Sequence, residues 1–385
     1  MTMDEASFAT SVDRFRGEML VAEKFAYFDH AAVAPLPRRA VDGISRWLRE
    51  ASESGDLHWP RWAEEVEDLR DAAARLLGAD RTEIALIRNT SHGIGLVAEG
   101  FPWQPGDNVV ILADEFPSNA YPWMNLADRG VETRLVPVDG GFSLERLLES
   151  CDARTKIVSI SWVNYLTGRR HDLATIGEAL HGRGILFFVD AIQGLGVFPI
   201  DVHDLPIDFL AADGHKWMLG PEGAGFFYCK QEHLDRLHPI GVGWNSVEHA
   251  FRFDHLEYRL KPSAERFEGG SQNMVGMIGL KGAVDLLLEI GIEHIRDAVL
   301  NATEIACEAL RRIGAEILSD RSPEVASGIV AFRFPDCDHQ RLRAACLAEG
   351  VILSCRGPGL RISPHGYCTQ DDIERLVNVL RKALA

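Results

Sequence analysis

An α/β architecture, with a mostly parallel sheet covered by helices on both faces and a smaller α+β domain behind it, is what this chain predicts. Three observations carry the prediction. Short apolar runs within 83–88, 107–112, 133–138, 157–163 and 185–189 alternate with stretches of helical periodicity, the pattern of parallel strands joined by crossover helices. The runs Ile185–Val189 and Phe209–Ala212 are too short for helices and are followed by Asp190 and Asp213, with Lys216 three residues past the second acid. Strands that deliver polar groups at their carboxyl ends build the ligand crevice of an open α/β sheet. Beyond residue 285 the alternation loses its regularity. The expected divisions are an arm of residues 1–20 associated with the small domain, a large domain of 21–284 and a small domain of 285–385.

With 385 residues, 46% apolar and 25% charged, the chain has the make-up of an ordinary soluble globular protein. A net charge of −17 and an isoelectric point near 5.3 argue against nucleic acid or an anionic membrane surface as partner. They leave room for a locally basic pocket. No apolar run approaches membrane-spanning length. The seven cysteines show no CxxC spacing and no signal-peptide pattern is visible, so reduced thiols and a cytoplasmic location are expected.

Taken in order, residues 1–20 carry apolar positions at roughly helical spacing, and 25–28 read as a short strand. That strand breaks into a small-residue loop, His30-Ala31-Ala-Val-Ala, closed by Pro35 and Pro37. His30 and Ala31 are candidate substrate contacts, although a plain connection to the next helix explains the loop equally well. Two helical stretches fill 38–77. The strand at 83–88 then passes through Asn89-Thr90-Ser91-His92-Gly93 into a helix beginning near Ile94. Hydroxyls at a helix start suit an anion, which meets unpaired N–H groups and the positive end of the dipole. A helix cap at Thr90 or Ser91 would account for them without a ligand.

The strand at 107–112 leads to Phe116, an aromatic placed to cover a planar ligand or simply to pack. The run 157–163 ends in Asn164, and Gly223–Cys229 is a further strand. Residues 239–272, aromatic and charged without periodicity, form a long loop of the kind that usually carries function. Helices at 274–290 and 292–313 lead into the tail. There the pattern reads strand 317–318, strand 326–334, helix 339–349, strands 351–354 and 360–363, and helix 369–384.

Together the polar positions meet the needs of one cofactor, pyridoxal phosphate. It requires a lysine to form an imine and move protons, and a carboxylate on its pyridinium nitrogen. It also needs an anion site, a ring-stacking group, and an arginine whose fork grips a substrate carboxylate. Lys216, Asp190, Thr90 with Ser91, Phe116 and Arg361 are the candidates in that order. Lys216 stands between His215 and Trp217 ahead of a glycine-rich run, unlike a surface lysine among polar neighbours.

Several segments now bear comparison with a known family. They are Val189-Asp190-Ala-Ile-Gln193-Gly, Asp213-Gly-His215-Lys216-Trp-Met-Leu-Gly-Pro and Arg266-Phe-Glu-Gly-Gly-Ser271. Around them stand Tyr27-Phe-Asp-His-Ala-Ala, Asn89-Thr-Ser-His-Gly, Glu115-Phe-Pro-Ser-Asn and Gly359-Leu-Arg361-Ile-Ser. In this order, and over nearly the whole chain, they resemble the class V aminotransferase group of pyridoxal-phosphate enzymes. That group includes cysteine desulfurases, isopenicillin N epimerase-like proteins and kynureninases.

The resemblance implies a fold-type I transferase with a seven-stranded type of sheet, and a homodimer with shared sites. Lys216 would carry the imine, Asp190 the ring nitrogen, and Gln193, with Asn164, the ring hydroxyl oxygen. Thr90, Ser91 and His215 would hold the phosphate, Ser271 would reach the phosphate of the neighbouring subunit, and Phe116 would stack on the ring. Arg361 would hold the α-carboxylate of an amino-acid substrate.

Two departures matter. Asp213 stands where the family often has a serine or threonine on the phosphate, and a carboxylate there is repulsive, so it is expected to bond His215 or backbone. The segment Ile352-Leu-Ser-Cys355-Arg-Gly-Pro-Gly-Leu-Arg361 leaves almost no room for the loop on which related desulfurases carry a nucleophilic cysteine. Cys355 is therefore expected to be structural.

The implied activity is chemistry at the α-carbon of an amino acid or amine. Transamination leads, with C–S lysis of the desulfurase type and epimerisation as alternatives. A non-enzymatic regulatory module would be expected to lose Lys216 or Asp190, and both are present. A nicotinamide enzyme would need GxGxxG after its first strand, whereas Gly93-Ile-Gly95 is followed by Ala98.

Overall fold

Seven strands form the central sheet in the order Ile84–Ile87, Gly225–Cys229, Phe209–Asp213, Leu186–Asp190, Thr155–Ser161, Asn108–Leu112 and Glu132–Val136. The structure, a computed structural model, describes residues 5–385. From Phe209–Asp213 to Glu132–Val136 all neighbours run parallel, and Gly225–Cys229 is antiparallel to both of its neighbours. That strand follows the lysine segment by a tight return without a crossover helix, so its direction must reverse.

The strands Asn108–Leu112, Leu186–Asp190 and Phe209–Asp213 are buried along their whole length because helices cover both faces. The two-residue period sorts their side chains. Phe187, Val189, Leu210 and Ala212 enter one core, while Leu186, Phe188, Phe209 and Ala211 enter the other. By the same period Asp190 and Asp213 point to the second face, where the helix Thr90–Gly100 packs through Ile94 and Val97. Gly93 allows that helix close to the sheet, since a Cβ there would lie 2.6 Å from the Ala211 Cβ.

This helix begins at Thr90, ahead of the expected start near Ile94, and its cap is neither Thr90 nor Ser91. Asn89 caps it by accepting the His92 N–H, while the Thr90 hydroxyl is taken by the Asp213 N–H. The amide side chain of Asn89 satisfies the helix end and leaves the hydroxyls to face elsewhere.

The C-terminal region builds an antiparallel sheet in the order Ser354–Arg356, Gly359–Ile362, Val330–Arg333 and Glu316–Ile317. The single strand expected at 351–354 is two. Val351–Ile352 pairs in parallel with Ala26–Tyr27, and Ser354–Arg356 pairs with Gly359–Ile362. Leu353, fully buried, marks the change of partner. The N-terminal strand is thereby joined to the C-terminal region, and Glu5–Glu18 forms the expected helix of the arm; residues 1–4 lie outside the described residues. Among the described residues no helix is long and apolar enough to cross a membrane.

The segment Arg266–Ser271 is anchored by charge. Buried Glu268 accepts from both terminal guanidinium nitrogens of Arg70 and from the Leu86 N–H, and Arg70 also donates to the Ile84 carbonyl. Removing one partner of a buried pair leaves the other charge uncompensated, at a cost of about 3–5 kcal/mol. Arg70→Leu is expected to lower the unfolding free energy by that order, read as a lower denaturant midpoint with little change of slope. Arg81→Ala, which removes half-exposed pairs to Glu67 and Asp71, is expected to cost less than about 1 kcal/mol. Equal effects from the two variants in a urea titration would refute the anchoring role of Arg70.

Candidate active site

At the carboxyl ends of the parallel strands a cavity of about 410 Å³ opens, with Asp190 and Lys216 in its wall. Sheet register explains the gathering. Ser161, Asp190 and Ala211 are cross-strand neighbours, so the strands end together and Asp190, 2% exposed, stands at the crevice floor. Its carboxylate accepts the Ile192 N–H at 3.1 Å. Burial raises the Asp190 pKa to about 6, against the opposing pull of that N–H and of Lys216.

Lys216 lies on a loop that closes on itself. The Gly220 N–H donates to the Gly214 carbonyl at 2.8 Å, and Leu219 adopts φ +58°. Burial lowers the Lys216 pKa to about 8; Asp190 and Asp213 oppose the shift, while Arg361 and Arg356 add to it. Its neighbours are tied on both sides. The His215 carbonyl accepts the Ala34 N–H at 2.7 Å, and the Trp217 carbonyl accepts His365 Nε2–H at 3.0 Å. The Trp217 indole donates to Gln193 at 2.8 Å, and Gln193 donates to the Ala31 carbonyl at 3.0 Å. One amide hydrogen of Gln193 remains for a ligand.

At the helix end, Thr90 Oγ1 accepts the Asp213 N–H at 3.0 Å, which leaves its hydroxyl hydrogen to donate toward the cavity. The first N–H groups of the helix, with Ser91, lie on the same wall. Asp213 turns to backbone and to His215. Its carboxylate accepts the Gly214 N–H at 2.8 Å and lies 2.9 Å from His215 Nδ1, in an approach that falls short of hydrogen-bond geometry. The Phe116 ring lies 5.5 Å from Lys216 Nζ and edge-on to Tyr165. Its loop is held by Glu115, which accepts from both the backbone N–H and the hydroxyl of Ser161. Burial pushes the Glu115 carboxyl up to about 7 despite those bonds.

Three of the expected contacts lie away from the cavity. Asn164 is consumed by its own turn, accepting from the Leu166 and Thr167 N–H groups and donating to Asp114. Ser271 borders a separate hollow with Trp59, Trp244 and Phe251. His30 is fully buried, its Nδ1 2.8 Å from the Ser363 carbonyl and its Nε2 2.8 Å from the Tyr367 hydroxyl. Burial, assisted by His365, drives its pKa far down and keeps the ring neutral. A carbonyl only accepts, so Nδ1 carries the proton and Nε2 accepts from Tyr367. The ring stacks behind Trp217 at 6.1 Å, so His30 packs against the site's wall and does not meet a substrate directly. Ala31, next to it, does reach the cavity.

A hairpin forms the remaining wall. Its register pairs Ser354 with Arg361, Cys355 with Leu360 and Arg356 with Gly359. Pleating therefore sends Ser354, Arg356 and Arg361 to one face and Cys355 to the other. Arg356 and Arg361 line the cavity. Cys355 Sγ lies 3.3 Å from the His339 carbonyl on the opposite side, where burial raises the thiol pKa. Among the described residues no cysteine lines the cavity. Arg361, 1% exposed, donates to the Tyr165 carbonyl at 2.8 Å and reaches Asp29 at 3.4 Å. Arg356 escapes a reading of the sequence by motif. Its signal was the turn Gly357-Pro358, which puts positions 356 and 361 on one face of a hairpin.

A carboxylate fit to hold a ring nitrogen protonated, and an amine half deprotonated near pH 8, suit pyridoxal phosphate, and the surrounding sheet is that of its fold-type I enzymes. Within that class the chain belongs to the aminotransferase class-V family, whose profile matches residues 26–376. It is 29% identical over 393 residues to a probable cysteine desulfurase of Methanothermobacter thermautotrophicus, covering 95% of this chain and 96% of that one. It is 28% identical over 386 residues to isopenicillin N epimerase of Streptomyces clavuligerus, covering 95% and 96%. The solved structure of the cysteine desulfurase CsdA from Escherichia coli superposes with a TM-score of 0.86 at 26% identity, covering 97% of this chain and 98% of that one.

The lowered lysine pKa has a direct readout. An ordinary lysine presents its neutral amine only near pH 10.4 or above. Imine formation between apoprotein and pyridoxal phosphate, trapped with borohydride and mapped to Lys216, is expected to rise with pH through about 8 and level off beyond it. A rise centred where a free lysine titrates would refute the buried-amine account.

Proposed function

We propose that the protein is a pyridoxal-phosphate-dependent aminotransferase acting at the α-carbon of an amino acid or amine by way of Lys216. The observation that carries this reading is a buried lysine of lowered pKa in one cavity with Asp190, Phe116 and Arg361. When bound, the cofactor withdraws electrons from the carbon that bears the substrate nitrogen. Asp190 opposes the positive ring nitrogen with its charge. Thr90, Ser91, His215 and the helix N–H groups would receive the phosphate, Phe116 would cover a ring face, and the spare Gln193 hydrogen would meet the ring oxygen. Arg361 orients the substrate by its carboxylate. Lys216, neutral over a working range that an ordinary lysine lacks, is the group available to accept the α-proton and hand it back.

A second reading, a C–S lyase, has its own support. The cavity lacks a thiol among the described residues, and β-elimination needs no protein nucleophile, unlike persulfide transfer. The relatives named cysteine desulfurase point to sulfur-bearing substrates. Pairs of amino acids and keto acids, and in parallel cysteine and cystine alone, discriminate the two. Turnover that depends on a keto-acid acceptor is expected, and pyruvate released from cystine without an acceptor would overturn transamination in favour of lysis. In either case Lys216→Ala is expected to lose at least about 10²–10⁴-fold in rate, while Cys355→Ala keeps the wild-type rate.

The reading extends to a homodimer. Ser271 stands apart from the cavity of its own chain, beside exposed Trp244 and Phe251, which supports a contact with the phosphate of a neighbouring subunit. A fully active monomer by sedimentation would overturn it.

A further inference from the structure

Five charged side chains other than histidine line the cavity: Asp190, Asp213, Lys216, Arg356 and Arg361. Four of them have assigned partners or tasks. Asp213 is taken by the Gly214 N–H and by His215. Arg361 is fixed by Tyr165 and Asp29, and Asp29 also accepts the Ser354 hydroxyl. Asp190 and Lys216 serve the cofactor in the reading proposed above. Arg356 has none: among the described residues it makes no ion pair and no side-chain hydrogen bond. Its directly opposite cross-strand partner is Gly359, so no side chain lies straight across from it; Ser354 and Arg361 share its face.

The two arginines differ in depth. Arg361 is fully buried beside the lysine, whereas Arg356 is exposed at the rim of the same cavity. One guanidinium fork suffices for one carboxylate. A second, unpaired fork facing the same space, in a chain of net charge −17, is a place for a second anionic group. We infer that Arg356 is a specificity residue that binds an anionic group at the far end of the substrate, so that the preferred substrates are amino acids with an acidic side chain. This inference rests on the reading of Arg361 as the α-carboxylate site, and it names the substrate class of that same cavity.

The test is a binding measurement on the holoenzyme. Succinate, glutarate and adipate, each paired with its monoamide, are titrated by calorimetry into wild type, Arg356→Gln, Arg356→Lys and Arg361→Gln. A charge-assisted contact at a partly exposed site corresponds to about tenfold in Kd. At least one dicarboxylate is therefore expected to bind wild type about tenfold more tightly than its monoamide, with the difference shrinking as salt is raised. Arg356→Gln removes that difference and leaves the monoamide affinity in place, and Arg356→Lys retains part of it. The inference is overturned if wild type prefers no dicarboxylate of the series. It is equally overturned if Arg356→Gln weakens acid and monoamide alike, which would make Arg356 a second grip on the shared carboxylate. Arg361→Gln separates the two readings: it should weaken both members of each pair, and if it does not, the α-carboxylate assignment fails while the acid-to-amide ratio in Arg356→Gln still reports on Arg356.

Discussion

Taking an ammonium group out of water costs several kcal/mol unless protein charges replace the lost solvation. Lys216 is held under that cost. Burial dominates its lowered pKa, and the nearby carboxylates of Asp190 and Asp213 return only part of what water supplied. Everything that keeps water from the lysine is therefore part of the site. The His215 carbonyl is bonded from the N-terminal loop at Ala34, and the Trp217 carbonyl from His365 in the C-terminal region. Behind Trp217 stand His30 and Tyr367, joined by a hydrogen bond. Burial keeps both imidazoles neutral, which lets them act as fixed donors and acceptors without adding a second buried cation.

Two of the charges around the lysine have fixed partners. Arg361 is offset by Asp29, and Asp213 accepts the Gly214 N–H beside His215. A hairpin with a two-residue turn supplies the last wall and fixes by parity which side chains face inward. Parity is a hard constraint, because a side chain can change face only if the register slips by a whole residue. It puts both arginines inward and the thiol of Cys355 outward. Among the described residues, the cavity is thereby left with groups suited to proton transfer and without a cysteine in its wall.

Much of the fold was legible because its strands are short apolar runs and its helices keep their period. Asp190 was legible because it directly follows such a run, and the lysine because it stands three residues past Asp213, between His215 and Trp217. Other features were hidden for identifiable reasons. The helix at Thr90 starts early because Asn89 caps it, and capping geometry does not show in residue type when three polar residues follow one another. His30 looks like a loop histidine in sequence, yet the pairing of Ala26–Tyr27 with Val351–Ile352 carries it into the interior. Asn164 sits at a strand end like Asp190, and only its hydrogen bonds show that the turn uses up the side chain.

Local chemistry and period, which a sequence carries residue by residue, determined the α/β class, the order of elements and the kinds of group on offer: an amine, a carboxylate, hydroxyls at a helix start and an arginine fork. Which of these groups share a cavity was decided only by tertiary structure. Strand order and cross-strand register are set between segments far apart in the chain, and no local pattern encodes them. The same holds for the altered acidity of Lys216 and Asp190, which arises from water excluded by residues as distant as Ala34 and His365. Arg356 is the sharpest case: an ordinary arginine in sequence, it becomes part of the cavity wall because one hairpin register turns it there.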